Sequence, residues 1–462
     1  MLSPPRLIAF LLALACVAPA AASASLKLTI GAAEDEARTA DPAIAQAKMD
    51  LAKAAGFSAI RVTAIWSPGQ TAVPDDQLAA LQTAAAAALF DGITLTATVM
   101  PYGSHTTPLT AAARREFASF TADLVRRVPN LPNLIIGNEP NINRYWLPQF
   151  NPDGSDAAAP AYEALLAQTY DAVKAVNRKE VVIGGSVSPR GSDNPALSRP
   201  THSPTRFITD LGDAYRASGR TKPIMDAFAF HPYGQNSSVP PDTAHPNSTT
   251  IGLADYDRLV ALLGLAFDGT GQLGTKLPVI YDEYGIESVV PANKAGLYHG
   301  REIPAVKPVP ETTQAEFYDE ALTMAACQPN VRAMFLFHVS DESDLDRWQS
   351  GVYYPDGTPK PTRAAVKQTI EQIHTRKIDC TETENVDDGW VLVPDVPGGV
   401  QTPAGTLGSF PRDGVCTPAG TSGTSTQPSS TFCVSVQSIF RAWICSIVCF
   451  TAARVGFGVP SG

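Results

Sequence analysis

The stretch LPNLIIGNEPN, residues 131–141, runs an apolar segment straight into an amide, a carboxylate and a proline. Leu134, Ile135 and Ile136 pass through Gly137 to Asn138, Glu139 and Pro140. So short and apolar a run suits a strand buried on both faces, and a proline suits its end. The polar pair is then either a plain strand-to-loop turn or a pair of groups presented at a strand end. The rest of the chain decides between the two.

Outward from this stretch the sequence alternates. Before it come LKLTIGA (26–32), SAIRVTAIW (58–66) and ITLTATVM (93–100), and LIIGN (134–138) lies within it. After it come VVIGGSV (181–187), AFAFHPY (227–233), PVIYDEY (278–284) and RAMFLFHV (332–339). Between them lie segments such as PAIAQAKMDLAKAAG and AAARREFASFTADLVRRV, whose apolar residues recur at three- and four-residue spacing, as in amphipathic helices. Eight strands alternating with helices over roughly 350 residues predict a (β/α)8 barrel. The competing arrangement is an open doubly wound sheet. No GxGxxG opens the first helix, and the strand count selects the barrel.

Composition limits the partners. Of 462 residues, 44% are hydrophobic and 17% charged, enough apolar material for a large core. Lys and Arg number 35 against 45 Asp and Glu, a net charge of −10, with no long basic run. Nucleic acid and anionic membranes are therefore excluded as expected partners, no nucleotide cofactor is expected, and a neutral substrate fits.

The first residues, MLSPPRLIAFLLALACVAPAAASAS, read as a secretory signal over 1–24. Arg6 supplies the positive end, 7–17 the apolar core, and Ala22-Ser23-Ala24 a small-x-small cleavage site. The apolar run is short for a membrane span, and the residues before Cys16 fit a lipoprotein site badly. Six cysteines follow, with no CxxC pair and no zinc-site spacing, so disulfides in an oxidising, extracellular compartment are expected. Cys327 ends the helix before strand eight and Cys380 follows the helix after it. Both helices end at the bottom of a barrel, so these two are expected to pair.

The barrel is assigned to 25–376. Residues 377–431, rich in Pro, Gly, Ser and Thr, read as a linker-like extension. Residues 432–462 form an apolar, cysteine-containing tail. Gln437 and Arg441 interrupt it, so membrane association is not expected. The tail is open to three readings: a disulfide-bonded hairpin, a docked helix or a loose end.

In a (β/α)8 barrel the functional residues sit at the C-terminal strand ends. Glu139 ends strand four and Glu283 ends strand seven, each directly after an apolar run. Either alone is equally well a surface or turn residue. As a pair facing each other across a barrel mouth they are what acetal hydrolysis needs: one protonated to donate to the leaving oxygen, the other ionised to attack.

Together GNEPN, IYDEYG, SAIRV and FAFHPYG resemble the motifs of the retaining glycoside hydrolases of clan A, the superfamily that includes families five and thirty-nine. The resemblance covers residues 26 to about 376. It implies Glu139 as acid/base, Glu283 as nucleophile and Asn138 on the sugar 2-hydroxyl. It implies Arg61 as the cation that keeps Glu283 ionised, His231 as a substrate-binding residue and Tyr233 as the group that orients Glu283. Many members end strand eight on a tryptophan platform; here FLFHVSDES places His338 there. Trp348, Trp66 or Trp146 would then stack on the sugar, and Tyr102 at the end of strand three joins the substrate-binding candidates. No metal or other cofactor is expected. DESDLD (341–346) lacks calcium-loop spacing and reads as a solvated acidic loop. The expected protein is a secreted, monomeric, retaining β-glycosidase of neutral polysaccharide or oligosaccharide. The alternatives are an exo-acting enzyme on short glycosides, a non-catalytic carbohydrate-binding barrel, or a surface protein anchored by its tail.

Overall fold

The computed structural model describes residues 28–380 and the short pieces 401–402, 405–406, 433–434 and 448–449. The signal, linker and tail assignments lie outside the described residues, those pieces apart. The chain divides into two units, residues 1–245 with 249–387, and 246–248 with 388–462. In the second, Gln401–Thr402 pairs with Gly405–Thr406 and Cys433–Val434 with Val448–Cys449, both antiparallel.

The first unit is a closed, eight-stranded parallel barrel. Its strands are β1 (Thr29–Ala33), β2 (Ala59–Trp66), β3 (Thr94–Pro101), β4 (Asn133–Ile136), β5 (Val181–Val187), β6 (Ala227–Phe230), β7 (Val279–Tyr284) and β8 (Val331–Phe337). The ring closes because β1 pairs with β8 as well as β2, from Thr29 opposite Ala333 to Ala33 opposite Phe337. The main helices are α1 (Pro42–Ala55), α2 (Asp75–Asp91), α3 (Ala111–Arg127), α4 (Ala158–Val176), α5 (Pro204–Ala217), α6 (Tyr256–Phe267), α7 (Glu311–Cys327) and α8 (Pro361–His374). Local sequence sets their ends. Asp41 caps α1 by accepting from the amides of Ala43 and Ile44, and Pro42 starts it. Thr110 and Ser203 cap α3 and α5 in the same way.

Strand alternation builds two cores. Ala59, Ile135, Ile183, Ala227, Ala229, Ile280, Ala333 and Phe335 fill the barrel interior, and the other strand faces pack in a second cluster with the helices. Two residues further along, the interior positions become Arg61 on β2, His231 after β6 and Asp282 on β7, which are polar. The barrel interior is apolar below and charged at its mouth.

Two irregularities interrupt the ladder near that mouth. Between β5 and β6, Gly185 pairs with Ala229 and Val187 with Phe230, leaving Ser186 as an extra residue. Between β7 and β8, Tyr281 pairs with Met334 and Tyr284 with Leu336, leaving Asp282 and Glu283 opposite a shorter partner segment. Such bulges re-aim side chains at barrel rims.

At the other end of the barrel, Cys327 is joined to Cys380 with a Cα–Cα distance of 5.4 Å, as the topology predicts. DESDLD differs from a solvated loop. Asp341 is buried, 2.8 Å from the Lys360 ammonium, and accepts from the Tyr298 hydroxyl, so the segment is pinned at its first residue.

Candidate active site

Arg61 anchors the site. Its Nη1 and Nη2 both donate to Glu283 Oε1 at 2.8 Å. Its remaining donors reach the Asp282 carbonyl at 2.8 Å and Thr98 Oγ1 at 2.7 Å. A buried guanidinium is tolerable because all three of its nitrogens donate and its charge is matched. Burial alone would lower the Arg61 pKa, but Glu283 and Asp282 raise it above its ordinary value. The Tyr233 hydroxyl donates to the other oxygen of Glu283 at 3.2 Å. Burial, then Glu283 and Glu139, push that phenol well above 10. Tyr233 therefore stays a donor.

Glu139 follows β4 with its backbone in the left-handed region, φ 40°, and its amide donates to the Ser186 carbonyl at 2.7 Å. For a glutamate this is a strained turn, held here by the bulged end of the neighbouring strand. The Tyr162 hydroxyl, from α4, braces both strand ends by donating to the Ile136 carbonyl and accepting from the Gly185 amide.

His231 lies beneath the two carboxylates and is fully buried. Its Nδ1 is 3.1 Å from Glu139 Oε1 and 3.4 Å from Glu283 Oε2. Its Nε2 is 3.0 Å from Ser186 Oγ and 3.3 Å from Asp282 Oδ2. Burial alone would lower its pKa, but Glu283 and Asp282, aided by hydrogen bonds to Asp282 and Glu139, raise it well above 6.5. Burial works to raise Asp282, yet His231, Arg61 and Ser186 hold it below the ordinary carboxylate value.

Arg61 and Glu283 line a cavity of about 150 Å3, which Asn138, the neighbour of Glu139, also lines; Glu139, His231 and Tyr233 stand outside its lining. Its walls include Glu34 and Asp35 after β1, Thr63, Asn138, Tyr145 and His338. His338 is held by Nδ1, 2.9 Å from the Ala33 carbonyl. The half-buried Trp348 ring lies 5.3 Å from that of Tyr233 and 5.1 Å from that of Phe337.

The structure thus brings together Glu139, Glu283, Asn138, Arg61, His231, Tyr233, His338 and Trp348. Trp66 is a correction. It is completely buried, edge-on to Phe117, with its indole N–H on the Gln70 carbonyl, and so it belongs to the core. Trp146 is likewise buried, against Tyr162. Tyr102 is 68% exposed and does not line the cavity. Sequence reasoning put Ser186 and Asp282 at strand ends without giving them a role, and missed Tyr145, Glu34 and Asp35. Alternation from Ile280 points to Asp282. Ser186 depends on a bulge, whose one sequence signal is the Gly184-Gly185 pair inside VVIGGSV. Among the described residues no cluster of three or more His, Cys, Asp or Glu could hold a metal ion.

This arrangement sits on a (β/α)8 fold. No protein-family model matches the sequence, and no curated protein matches it. Among solved structures, the chain is similar to a glucosidase from Croceicoccus marinus, with 13% identity, 77% of this chain and 69% of that one covered, and a TM-score of 0.53. It is also similar to a GH5_18 protein from Bifidobacterium longum subsp. infantis, with 16% identity, 75% and 79% covered, and a TM-score of 0.50. At these identities the likeness is one of fold.

Proposed function

We propose that this protein is an exported glycosidase that hydrolyses β-O-glycosidic bonds of a neutral polysaccharide or oligosaccharide with retention of configuration. Glu283 is the nucleophile and Glu139 the acid/base. The observation that carries this reading is the contact of one nitrogen, His231 Nδ1, with both carboxylates. Laid end to end, its two distances barely reach the lower edge of the roughly 6.5–9.5 Å separation of inverting enzymes, and any bend at the nitrogen brings the oxygens closer. That leaves little room for an attacking water and favours direct attack by a carboxylate. Glu283, paired with Arg61 and Tyr233, suits the ionised nucleophile; Glu139, with no such guanidinium, suits the proton donor.

In this mechanism Glu283 attacks the anomeric carbon while Glu139 protonates the departing oxygen. Glu139 then takes a proton from water, whose oxygen displaces Glu283 from the sugar. Asn138, in the cavity wall, is positioned for the 2-hydroxyl. The Asp35 carboxylate in the cavity wall would repel a uronate, which supports a neutral sugar. The Cys327–Cys380 disulfide supports an oxidising compartment.

Glu283→Ala is expected to abolish turnover, with azide restoring it as an inverted glycosyl azide. Glu139→Ala is expected to spare aryl glycosides with good leaving groups far more than alkyl glycosides. NMR of the first-formed sugar decides the stereochemistry, and the opposite anomer overturns the assignment. A second reading, exo action on short glycosides, is favoured by the small cavity walled on the β1 side. Release of monosaccharide alone from an oligosaccharide would establish it, and a ladder of products would exclude it.

A further inference from the structure

We propose that Asp282 is a positioning residue that holds His231 as an imidazolium, with its Nδ1–H directed at Glu139, so that the charge of the site stays balanced through both half-reactions. The contacts of the ring support it. Ser186 has one hydroxyl proton, and its nearest acceptor is Asp282 Oδ2 at 2.8 Å, against 3.5 Å for Asn138 Oδ1. The serine oxygen is then an acceptor, so His231 Nε2, 3.0 Å away, must carry a proton. On the other edge Nδ1 lies 3.1 Å from Glu139 Oε1 and 3.4 Å from Glu283 Oε2; a protonated Glu139 can donate as well as accept, but the Arg61-paired Glu283 carboxylate can only accept, and a proton on Nδ1 serves it. A ring with both nitrogens protonated is a cation. Asp282 Oδ1 has no hydrogen-bond partner, so the buried Asp282 charge is balanced by His231 and Arg61.

The groups that bear on His231 are Glu139 after β4, Asp282 and Glu283 on β7, Ser186 on β5 and Tyr233 from its own loop. Arg61 of β2 acts through Glu283 and the Asp282 carbonyl, and Arg190 and Tyr145 act on Glu139 from outside. Resting on the glycosidase reading, the charges balance as follows. With Glu139 protonated, the anions Glu283 and Asp282 match the cations Arg61 and His231. When Glu283 becomes an ester it loses its charge, and Glu139, having given its proton to the leaving oxygen, gains one. The match survives, and a fixed imidazolium receives the new carboxylate. Without Asp282, a neutral His231 would offer Glu139 no assured donor.

The test is 15N NMR of the histidine side chains in the full chain, with pH titration and no substrate present. In the wild type, His231 is expected to remain doubly protonated at pH 8. In Asp282→Asn it is expected to be neutral at that pH, and in Ser186→Ala, which keeps the charge, to remain protonated. The alkaline limb of kcat/KM, which reports the Glu139 acid, should move up in Asp282→Asn by about one pH unit, because the imidazolium charge beside Glu139 is lost. A neutral His231 at pH 7 in the wild type overturns the proposal. So does an Asp282→Asn titration identical to wild type, or loss of the proton in Ser186→Ala. Should Asp282→Asn fail to fold, the wild-type and Ser186→Ala titrations decide. Inactivity toward every glycoside would overturn the glycosidase reading while leaving the proton count intact, and a neutral His231 in an active enzyme would do the reverse.

Discussion

Trp66 closes β2 with its ring among the helices, whereas Trp348, from the loop after β8, lies beside Tyr233 near the mouth. The same side chain therefore does two different jobs, and substitution separates them. Trp66→Ala removes a completely buried ring and is expected to cost about 3–5 kcal/mol, read as a lower urea midpoint. Trp348→Ala leaves a half-buried site that can rehydrate. Its urea midpoint is expected to change little, and KM to rise by up to about tenfold, the scale of one lost aromatic contact. A Trp348→Ala protein with wild-type KM would remove this residue from the substrate site. Sequence could not sort the two, because a tryptophan at the end of β2 and one in the loop beyond β8 can both reach a barrel mouth. Only the direction of the last β2 residue, set by the pleat, tells them apart.

At the scale of the element, the informative features are the strand ends. The order of strands, the helices between them and the positions of Glu139 and Glu283 were legible, because apolar runs and periodicity record burial directly. Alternation also carries Arg61 and His231 to the interior. The placement of Ser186, and of Glu283 on the same side as its neighbour Asp282, was not legible, since adjacent residues on a regular strand face opposite ways. The bulges in β5 and β7 break that rule, and they arise from packing between strands. Gly185 is what permits the first. Its φ is +90°, and a Cβ there would lie 2.5 Å from the Ala229 carbonyl oxygen. Gly185→Ala must therefore adopt a left-handed conformation and displace β6, at a cost of at least about 1–3 kcal/mol. Because Ser186 and the Glu139 amide contact follow directly, kcat is expected to fall more than KM rises. Unaltered kcat in a stably folded Gly185→Ala protein would show that the bulge does not position the site.

At the scale of the barrel, the groups proposed as catalytic lie at one end and the disulfide at the other, so stability and chemistry are expected to be separable. The barrel ring closes between β1 and β8, and the last two helices, α7 and α8, pack beside that seam. Cys327 ends α7, and Cys380, buried, follows α8, so their bond ties the barrel's eighth helix to its predecessor. A link across 53 residues removes unfolded-state freedom worth about 4 kcal/mol in the chain-entropy treatment, and typical measured values are about 2–4 kcal/mol. The Cys327→Ser, Cys380→Ser double variant should therefore unfold at lower urea, by an amount in that range, and the reduced wild type should match it. Its kcat/KM at 25 °C should equal that of the wild type, because Arg61, His231 and the two glutamates are fixed by strand pairing and by each other. A double variant of full stability would mean that helix packing alone secures the seam. A stable variant with impaired turnover would mean that the seam reaches the mouth through β8, the strand that also carries Phe337 and His338 into the cavity wall.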